Sequence, residues 1–405
     1  MCIGYLIPEF PGQTHNFFWR ERQALRELGV DTRLISTRRP PKGIASPSWA
    51  EEAAAQTVYL LPFSVPDTVK ALAVILAAGP LAWFRCLKLV AGAAELSIKQ
   101  KLRLAALIPF AAKLVAIGRA ERWRHVHVHS CADAANVALF ACVLSDMKYS
   151  ITLHNPLDTH GPNQAQKWLH ALFAIVITRK IHAEVTQRLQ GFLPRRMEIA
   201  PMGVDVEKFR RTAPYIPYQD AGELAIFSCG RLNPGKGYPY LIAAVDALKQ
   251  QGLAVRLEIA GEDDQGGSGY RKVLEARIAE AGLEDSVILL GAVAEEQVMR
   301  HLESAHVFAL ASLAEPLGVV IMEAMAMNVP VVATNGGGVS ELVADGVDGI
   351  LVNTCDADAL AEAIARIARD PELAGRLSAA SREKVMRGFS HRRSAQTIAA
   401  LLDAA

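Results

Sequence analysis

The sequence lacks any large excess of charge of one sign. Its 405 residues include 43 Lys and Arg against 42 Asp and Glu, which gives a formal net charge of +1. Proteins that bind nucleic acid over much of their surface are strongly basic, so we do not expect a nucleic-acid partner. Charged residues are 21% of the chain and apolar residues 51%. This composition argues against a mainly disordered protein, and the length suffices for two or three domains.

Cysteine is scarce, and long apolar runs are missing. The six cysteines form no CxxC pair, which argues against a disulfide scaffold or a zinc ribbon and favours a reducing compartment. No basic stretch precedes an apolar run at the N-terminus, so we do not expect a secretory signal. The longest apolar run, residues 71–84, has 14 residues and contains Gly79 and Pro80. That length is short for a membrane-spanning helix.

Strand-like and helix-like stretches alternate along the chain. Short apolar runs bounded by turn residues, with helical patterns between them, indicate parallel strands joined by helices. The alternation fills residues 1–200, stops in a proline-containing stretch at 201–223, and restarts at 224. The predicted fold class is therefore α/β, with two doubly wound, Rossmann-like domains. Ligands are expected at the carboxyl ends of their strands.

One segment is locally basic. Residues 65–125 contain ten Lys and Arg against three Asp and Glu, which is a local net charge of +7. The basic residues alternate with large apolar residues at helical spacing. Peripheral contact with an anionic membrane would explain this pattern. Two ordinary amphipathic helices with a solvated basic face would explain it equally well.

A glycine-rich turn between a strand and a helix carries two cations. The stretch CGRLNPGKGYPYL, residues 229–241, nearly matches the phosphate-binding pattern G-x-x-x-x-G-K. Gly237 stands where that pattern needs the Ser or Thr that binds Mg²⁺, so a P-loop nucleoside triphosphatase fits poorly. A pyrophosphate held by Arg231, Lys236 and the helix N-terminus fits better than a plain turn with exposed cations.

Two glutamates follow further along the chain. Glu315 and Glu323 are separated by seven residues, and Pro316 and Gly318 mark a turn between them. We expect Glu315 in the loop before a helix and Glu323 one to two turns inside it. Such carboxylates can accept hydrogen bonds from sugar hydroxyls near a helix N-terminus that favours anions. Solvated surface acids and the carboxylate pair of a glycosidase are the alternatives.

Two further patterns suggest metal ligands only weakly. His125, His127 and His129 alternate along one strand, but no carboxylate or cysteine stands at a clear ligand spacing beside them. Asp356 and Asp358 form a D-x-D, yet they open a helix, where an N-cap role is expected. The sequence therefore predicts no metal site.

The motifs resemble the family-4 retaining glycosyltransferases of the GT-B fold, in the subgroup that builds exopolysaccharide and colanic-acid-type repeats. The stretches that carry this resemblance are GRLNPGKG, EPLGVVIMEAMAMNVPVVAT, GGGVSELVADGVDGILV, HVHVHSCADAANVALFACVLSDMKYSITLH and FPGQTHNFFWRERQALRELGVDTRLIS. The resemblance implies a metal-independent, retaining hexosyltransferase without a cofactor. Its donor would be a UDP- or GDP-sugar, and its acceptor a hydroxyl of a glycan or of a polyprenyl-diphosphate-linked glycan.

The resemblance also implies a division of the chain and a place in the cell. Residues 1–203 would bind the acceptor and residues 204–385 the nucleotide sugar across a cleft, with a helix in 386–405 packing back on the first domain. The enzyme would act in polysaccharide synthesis in the cytoplasm, or peripherally on the inner face of the cytoplasmic membrane. A nucleotide-sugar epimerase on the same fold and an inactive scaffold that binds a partner remain the alternatives.

The resemblance assigns a role to each matching position. Arg231 and Lys236 would hold the donor diphosphate, Glu315 the transferred sugar, Glu323 the ribose, and His154 would lie near the reacting carbon. The catalytic group is thus His154, Glu315, Arg231 and Lys236. The donor-binding group is Gly230, Arg231, Lys236, Ala292 (by its backbone, at the base), Glu315, Leu317, Gly318, Val319 and Glu323. The acceptor-binding group is Gly12, Gln13, Thr14, His15 and Asn16.

Overall fold

Two parallel β-sheets organise the chain. The computed structural model describes residues 1–12, 15–40, 49–93, 95–220 and 222–404. The strands of the first sheet are β1 (Cys2–Glu9), β2 (Asp31–Arg38), β3 (Val58–Tyr59), β4 (His125–Val128), β5 (Lys148–Leu153), β6 (Ala174–Val176) and β7 (Met197–Ile199). Those of the second are β8 (Leu224–Cys229), β9 (Val255–Ala260), β10 (Val287–Gly291), β11 (Val307–Leu310), β12 (Val331–Thr334) and β13 (Ile350–Val352).

Helices cover both faces of the sheets. In the first half they are α1 (Asn16–Glu27), α2 (Ala50–Gln56), α3 (Val65–Gly92), α4 (Ile98–Ala105), α5 (Ile108–Glu121), α6 (Asp133–Leu144), α7 (Gln164–Leu169) and α8 (Arg179–Arg188). In the second half they are α9 (Tyr238–Gln250), α10 (Tyr270–Glu280), α11 (Glu295–Ser304), α12 (Val319–Ala326), α13 (Val339–Leu342), α14 (Ala357–Arg369), α15 (Pro371–Gly388) and α16 (Arg392–Asp403).

Both sheets have a point at which the strand order reverses. The first runs β3-β2-β1-β4-β5-β6-β7 and the second β10-β9-β8-β11-β12-β13. The reversal therefore falls between β1 and β4 in one sheet and between β8 and β11 in the other. In doubly wound sheets a ligand crevice opens at this point, outside the carboxyl ends of the strands. The loops that follow these four central strands are thus the natural place for a site.

The chain passes between the two halves twice, and the two passages lie side by side. The backbone N–H of Val204 donates to the Phe389 carbonyl (2.9 Å), and that of His391 donates to the Val204 carbonyl (3.0 Å). After the second passage, α16 packs against α1 and buries Ala395 and Ile398 there. The last helix thus belongs to the layer that covers the first sheet.

Helix α3 corrects one expectation from the sequence. The apolar run there was expected to be too short to cross a membrane, but helical structure extends over Val65–Gly92, 28 residues in all, with a break at Gly79 (φ 77°, ψ 171°). By length and composition alone, α3 is long and apolar enough to cross a membrane, and only 11% of its most apolar window is buried.

Gly237 permits the close packing of the turn before α9, and its substitution should destabilise the fold. Its φ is +63°, and a Cβ there would lie 2.0 Å from the Ala311 carbonyl oxygen. We expect Gly237→Ala to lower the free energy of unfolding by about 2–4 kcal/mol. Gly375→Ala, inside α15 with nothing within 4 Å of the added methyl group, should instead stabilise by roughly 0.5–1 kcal/mol. Urea denaturation of the two variants checks this, and equal stability would contradict it.

Candidate active site

The loops after the central strands meet in one cleft between the sheets. The cleft has a volume of about 640 Å³. His15, His129 and His154 line it from the first half of the chain, and Lys236 and Glu315 from the second. Residues far apart in sequence therefore meet because two sheets present their carboxyl edges to each other.

A smaller cavity of about 120 Å³ adjoins this cleft. It is lined by Ala292 and Glu323, and Arg231 lines both spaces. The predicted donor residues divide between them. The residues at the large cleft are Gly230, Arg231, Lys236, Glu315, Leu317, Gly318 and Val319, and those at the small cavity are Gly230, Arg231, Ala292, Val319 and Glu323. All the predicted donor residues therefore lie at one or both of two adjoining spaces.

Two cations stand at the glycine-rich turn. Lys236 ends a short 3₁₀ turn, Pro234–Lys236, and its ammonium group pairs with the Glu315 carboxylate at 2.5 Å. The Arg231 side chain is 48% exposed, and its nearest acidic partner in the described part of the chain is Asp264, at 3.7 Å. Its guanidinium group is therefore available to an anion in the cleft. The two side chains can contact a diphosphate from one side.

The loop that carries Glu315 is held by backbone contacts. The Glu315 N–H donates to the Gly336 carbonyl (3.1 Å), and the Gly338 N–H donates to the Glu315 carbonyl (2.8 Å). A Cβ at Gly337, whose φ is +83°, would lie 2.1 Å from the Glu315 carbonyl oxygen. The Ser312 hydroxyl also donates to the Glu315 carboxylate (3.1 Å). The glycines at 336–338 thus fix the position of Glu315.

Glu323 lies in the second turn of α12, as the sequence predicted, but it is buried. Its carboxylate is 3.6 Å from the Arg20 guanidinium group. Burial raises the pKa of Glu323 to about 7, although the charge of Arg20 opposes this shift. The carboxyl group therefore changes its charge near neutral pH.

A buried charge cluster connects the two halves beside the small cavity. Arg20, on α1 and 6% exposed, pairs with Glu295 at the start of α11 as well as with Glu323. Lys208 also pairs with Glu295. Sequence reasoning missed Arg20 and Glu295. A signal existed, because Arg20 falls among the large apolar residues of α1, where an unpaired charge would be too unfavourable to bury.

The predicted acceptor residues do not form one group. His15 lines the large cleft, where burial and the charge of Arg231 lower its pKa to about 4. Gly12 accepts a hydrogen bond from the His15 backbone (3.1 Å) and does not line the cleft. Gln13 and Thr14 lie outside the described residues. Asn16 lines the small cavity with Glu323, since it begins α1 and its amide group donates to Glu295 (2.9 Å), and its role towards the acceptor stays a prediction.

His154 is part of a buried chain of polar groups. Its Nε2 is 3.0 Å from His129 Nδ1, and His129 Nε2 is 3.3 Å from the Glu21 carboxylate. Tyr5 donates to the same carboxylate (2.6 Å). Burial lowers the pKa of His154 to about 3, so its imidazole is neutral near pH 7. It can orient a sugar by hydrogen bonding, but it is no acid at that pH.

The histidine strand has a carboxylate next to it, contrary to the expectation from sequence spacing. Glu21 of α1 lies beside β4. One of its carboxylate oxygens and one ring nitrogen each of His127 and His129 lie within 4.8 Å of one another. Both ring nitrogens of His127 are nevertheless occupied, by Ser150 (2.7 Å) and Thr152 (2.8 Å). A hydrogen-bonded core explains this cluster better than a metal site. Likewise Asp356 caps α14 by accepting from the Ala359 N–H (2.9 Å).

Part of the chain is similar to known glycosyltransferases. Residues 217–384 match the protein family described as Glycosyl transferases group 1. The chain is 34% identical to a D-inositol 3-phosphate glycosyltransferase of Saccharomonospora viridis over 56% of this chain and 54% of that protein. It is 32% identical to the amylovoran biosynthesis glycosyltransferase AmsK of Erwinia amylovora over 53% and 52%, respectively. The chain thus spans about half the length of the curated relatives it matches.

The fold is shared over the whole chain with a solved structure. Anabaena Alr3699/HepE in complex with UDP-glucose superposes with a TM-score of 0.75 at 20% identity, covering 100% of both chains. At this identity the likeness establishes the fold. The prediction of two Rossmann-like domains in the GT-B arrangement is confirmed.

The ionisation of Glu323 should control the affinity for a nucleoside diphosphate. The sequence predicts that Glu323 binds the ribose, and an ionised carboxylate can accept hydrogen bonds from both ribose hydroxyls, whereas the protonated form accepts fewer. Because the pKa of Glu323 is about 7, we expect binding at pH 6 to be weaker than at pH 8, by up to about tenfold. The pKa values of His15 and His154, about 4 and about 3, keep both groups out of this window.

Calorimetric titration with UDP and with GDP measures this dependence. Glu323→Gln is the matched control. The ligand's own phosphate, whose pKa is about 6, ionises in the same way when either protein binds it. The variant should lose the part of the pH dependence that belongs to the protein. The same pH profile in both proteins would contradict the assignment.

Proposed function

We propose that the protein is a retaining, metal-independent hexosyltransferase. It would move a sugar from a UDP- or GDP-sugar to a hydroxyl of a glycan or lipid-linked acceptor in exopolysaccharide or cell-envelope polysaccharide synthesis. One observation carries the proposal: Arg231, Lys236, Glu315 and Glu323 converge on two adjoining cavities between the sheets. The names of the relatives, an amylovoran biosynthesis enzyme and an inositol phosphate glycosyltransferase, support the reaction class.

The charge of the leaving group sets the chemical problem. Transfer breaks the bond between the anomeric carbon and the donor diphosphate, and negative charge develops on the departing phosphate. Arg231 and Lys236 would stabilise that charge from fixed positions, together with the N-terminus of α12. These groups would take the part that a divalent metal plays in other enzymes, so the proposed reaction uses no metal and no cofactor.

The polar groups in the cleft suit transfer with retention. In the proposed mechanism the acceptor hydroxyl attacks the face from which the diphosphate leaves, and the departing phosphate oxygen takes the acceptor's proton. His154, neutral because burial lowers its pKa to about 3, would orient the sugar. Glu315, held by Lys236 and Ser312, would contact the transferred sugar. Closure of the two halves would exclude water, which competes with the acceptor.

The proposal also divides the work between the halves. Residues 1–203 would bind the acceptor and residues 204–385 the nucleotide sugar, with Ala292 at the base and Glu323 at the ribose. The six cysteines are unpaired among the described residues, which suits a reducing cytoplasm. The membrane-linked acceptor would then be reached from the cytoplasmic side.

Removing either cation should slow sugar transfer. We expect Arg231→Ala and Lys236→Ala each to raise the barrier by about 2–4 kcal/mol, roughly 30- to 1000-fold in rate, because each removes a charge that stabilises the leaving diphosphate. Release of nucleoside diphosphate from a panel of nucleotide sugars measures this. Arg256→Ala and Lys272→Ala, cations of the same half that do not line either cavity, are matched controls. Unchanged turnover in both cation variants would remove the phosphate site.

The same assay separates the alternatives. An epimerase would change the sugar without releasing the diphosphate, and an inactive scaffold would do neither. Release that increases with added acceptor is the outcome that only a transferase gives.

Chelation of metal should leave the reaction intact. With EDTA present we expect turnover to stay within about twofold of its normal value, since fixed cations stabilise the leaving group. Assays with and without EDTA, and with added Mn²⁺, measure this. Loss of activity that Mn²⁺ restores would contradict a metal-independent mechanism.

A further inference from the structure

Helix α3 carries its large apolar side chains on the outside. It packs on α5 and α6, and its fully buried side chains are small or medium: Ala71, Val74, Ala82 and Cys86. Eight of its large apolar side chains are 38–78% exposed, namely Val65, Val69, Leu72, Leu76, Leu81, Trp83, Phe84 and Leu87, whereas Ile75, Leu89 and Val90 are partly buried against the core. A surface helix of a soluble protein usually turns polar side chains outward. An apolar surface of this extent marks a place where another apolar body binds.

The next helix extends the same surface. Helix α4 contacts α3, and its Ile98 and Leu102, one turn apart, are 80% and 69% exposed. We call the exposed apolar side chains of the two helices the α3–α4 face. Scattered apolar side chains are normal on proteins, but consecutive turns of two adjacent helices are not.

Cations lie along this face. Lys70, Arg85, Lys88 and Lys99 are exposed, and in the described part of the chain no acidic side chain lies within 4.0 Å of them. The acid of the first turn of α3, Asp67, is already paired with Lys113 (3.0 Å). The four cations therefore remain available to an outside anion. Large apolar side chains flanked by lysine and arginine match the headgroup region of an anionic lipid leaflet.

We propose that the α3–α4 face inserts into one leaflet of an anionic membrane and holds the protein on its surface. The helix lies on the membrane and does not cross it, because its inner side is packed on α5 and α6 and the backbone breaks at Gly79. Arg85 and Lys88, in its second half, would meet lipid phosphates.

A second copy of the chain is a poorer occupant. A two-fold contact places the same patch on both partners, so the four unpaired cations of each copy would come together. An anionic leaflet satisfies those charges, whereas a second copy would add to their repulsion.

The face also has a position relative to the cleft. Arg103 of α4 pairs with Asp133 (2.9 Å), the first residue of α6. The loop that joins β4 to α6 contributes His129 and Ser130 to the large cleft. A membrane bound at this face would therefore lie near the first-half side of the cleft. Lipid binding does not depend on the proposed function; only the presentation of a lipid-linked acceptor there does.

Vesicle binding by the whole protein tests the proposal without any assay of activity. We expect binding to vesicles that contain phosphatidylglycerol, weaker binding to pure phosphatidylcholine, and loss of binding at high salt. Trp83 is a natural reporter, since it is 38% exposed, whereas Trp19, Trp123 and Trp168 are at most 7% exposed and Trp49 is partly buried. Brominated lipids should quench its fluorescence, and Trp83→Phe should abolish most of that quenching.

Paired variants locate the contact. Leu76→Ser with Phe84→Ser should weaken vesicle binding at least about tenfold, with an unchanged circular dichroism spectrum and unchanged UDP affinity. Val347→Ser with Met386→Ser removes apolar side chains of similar exposure, 62% and 51%, from the second half of the chain and should have no effect.

Three results would overturn the proposal: no vesicle binding by the wild-type protein, equal binding by the α3–α4 variant, or a dimer in solution that this variant dissociates. The last result would assign the face to a second copy. Each of them would leave the sugar-transfer assay unaffected, so failure here is distinguishable from failure of the proposed function.

Discussion

A buried ion cluster joins the two sheets beside the candidate site, and the geometry of the cleft depends on it. Arg20 extends from α1 of the first half and contacts Glu295 and Glu323 of the second. Removing one partner from such a cluster leaves buried charge uncompensated, which typically costs about 3–5 kcal/mol. The same contact influences the ionisation of Glu323, which lines the small cavity. The Arg20 guanidinium group therefore has two effects. It links the two halves of the chain, and it influences the charge of the Glu323 carboxylate in the small cavity.

The site follows from the topology of parallel sheets. Each sheet provides one set of loops at its carboxyl edge. Neither set alone contains both the charged groups and the neutral histidines of the cleft. The loops after β8 and β11 supply cations and carboxylates, whereas those after β1, β4 and β5 supply His15, His129 and His154, whose pKa values are lowered by burial. Fixed positive charge on one side of a cleft and neutral hydrogen-bonding groups on the other suit a ligand with a charged diphosphate and a neutral sugar.

The sequence predicted those parts of the site that are encoded locally. Arg231 and Lys236 could be found because a glycine-rich turn after a strand places its cations at the sheet edge. The partners of Glu21, Arg20 and Glu295 could not be found, because they are far away in sequence: 275 residues separate Arg20 from Glu295. The apolar neighbours of Arg20 in α1 indicated only that its charge needs a partner when buried. The sequence placed Asn16 in one group with its neighbours Gly12 to His15. In the structure Asn16 begins α1 and lines the small cavity, whereas His15 lines the large cleft. The exposed side of α3 was also hidden, since a helical pattern does not say which apolar residues pack inward.

The central claim is that the positive charges of Arg231 and Lys236 bind a diphosphate in the cleft between the two halves of the chain. The most direct measurement is a crystal structure with bound UDP or GDP. The account predicts phosphate oxygens within hydrogen-bonding distance of the Arg231 guanidinium and the Lys236 ammonium groups, and ribose hydroxyls on the Glu323 carboxylate. A nucleotide bound elsewhere, or bound here with both cations directed to solvent, would contradict it.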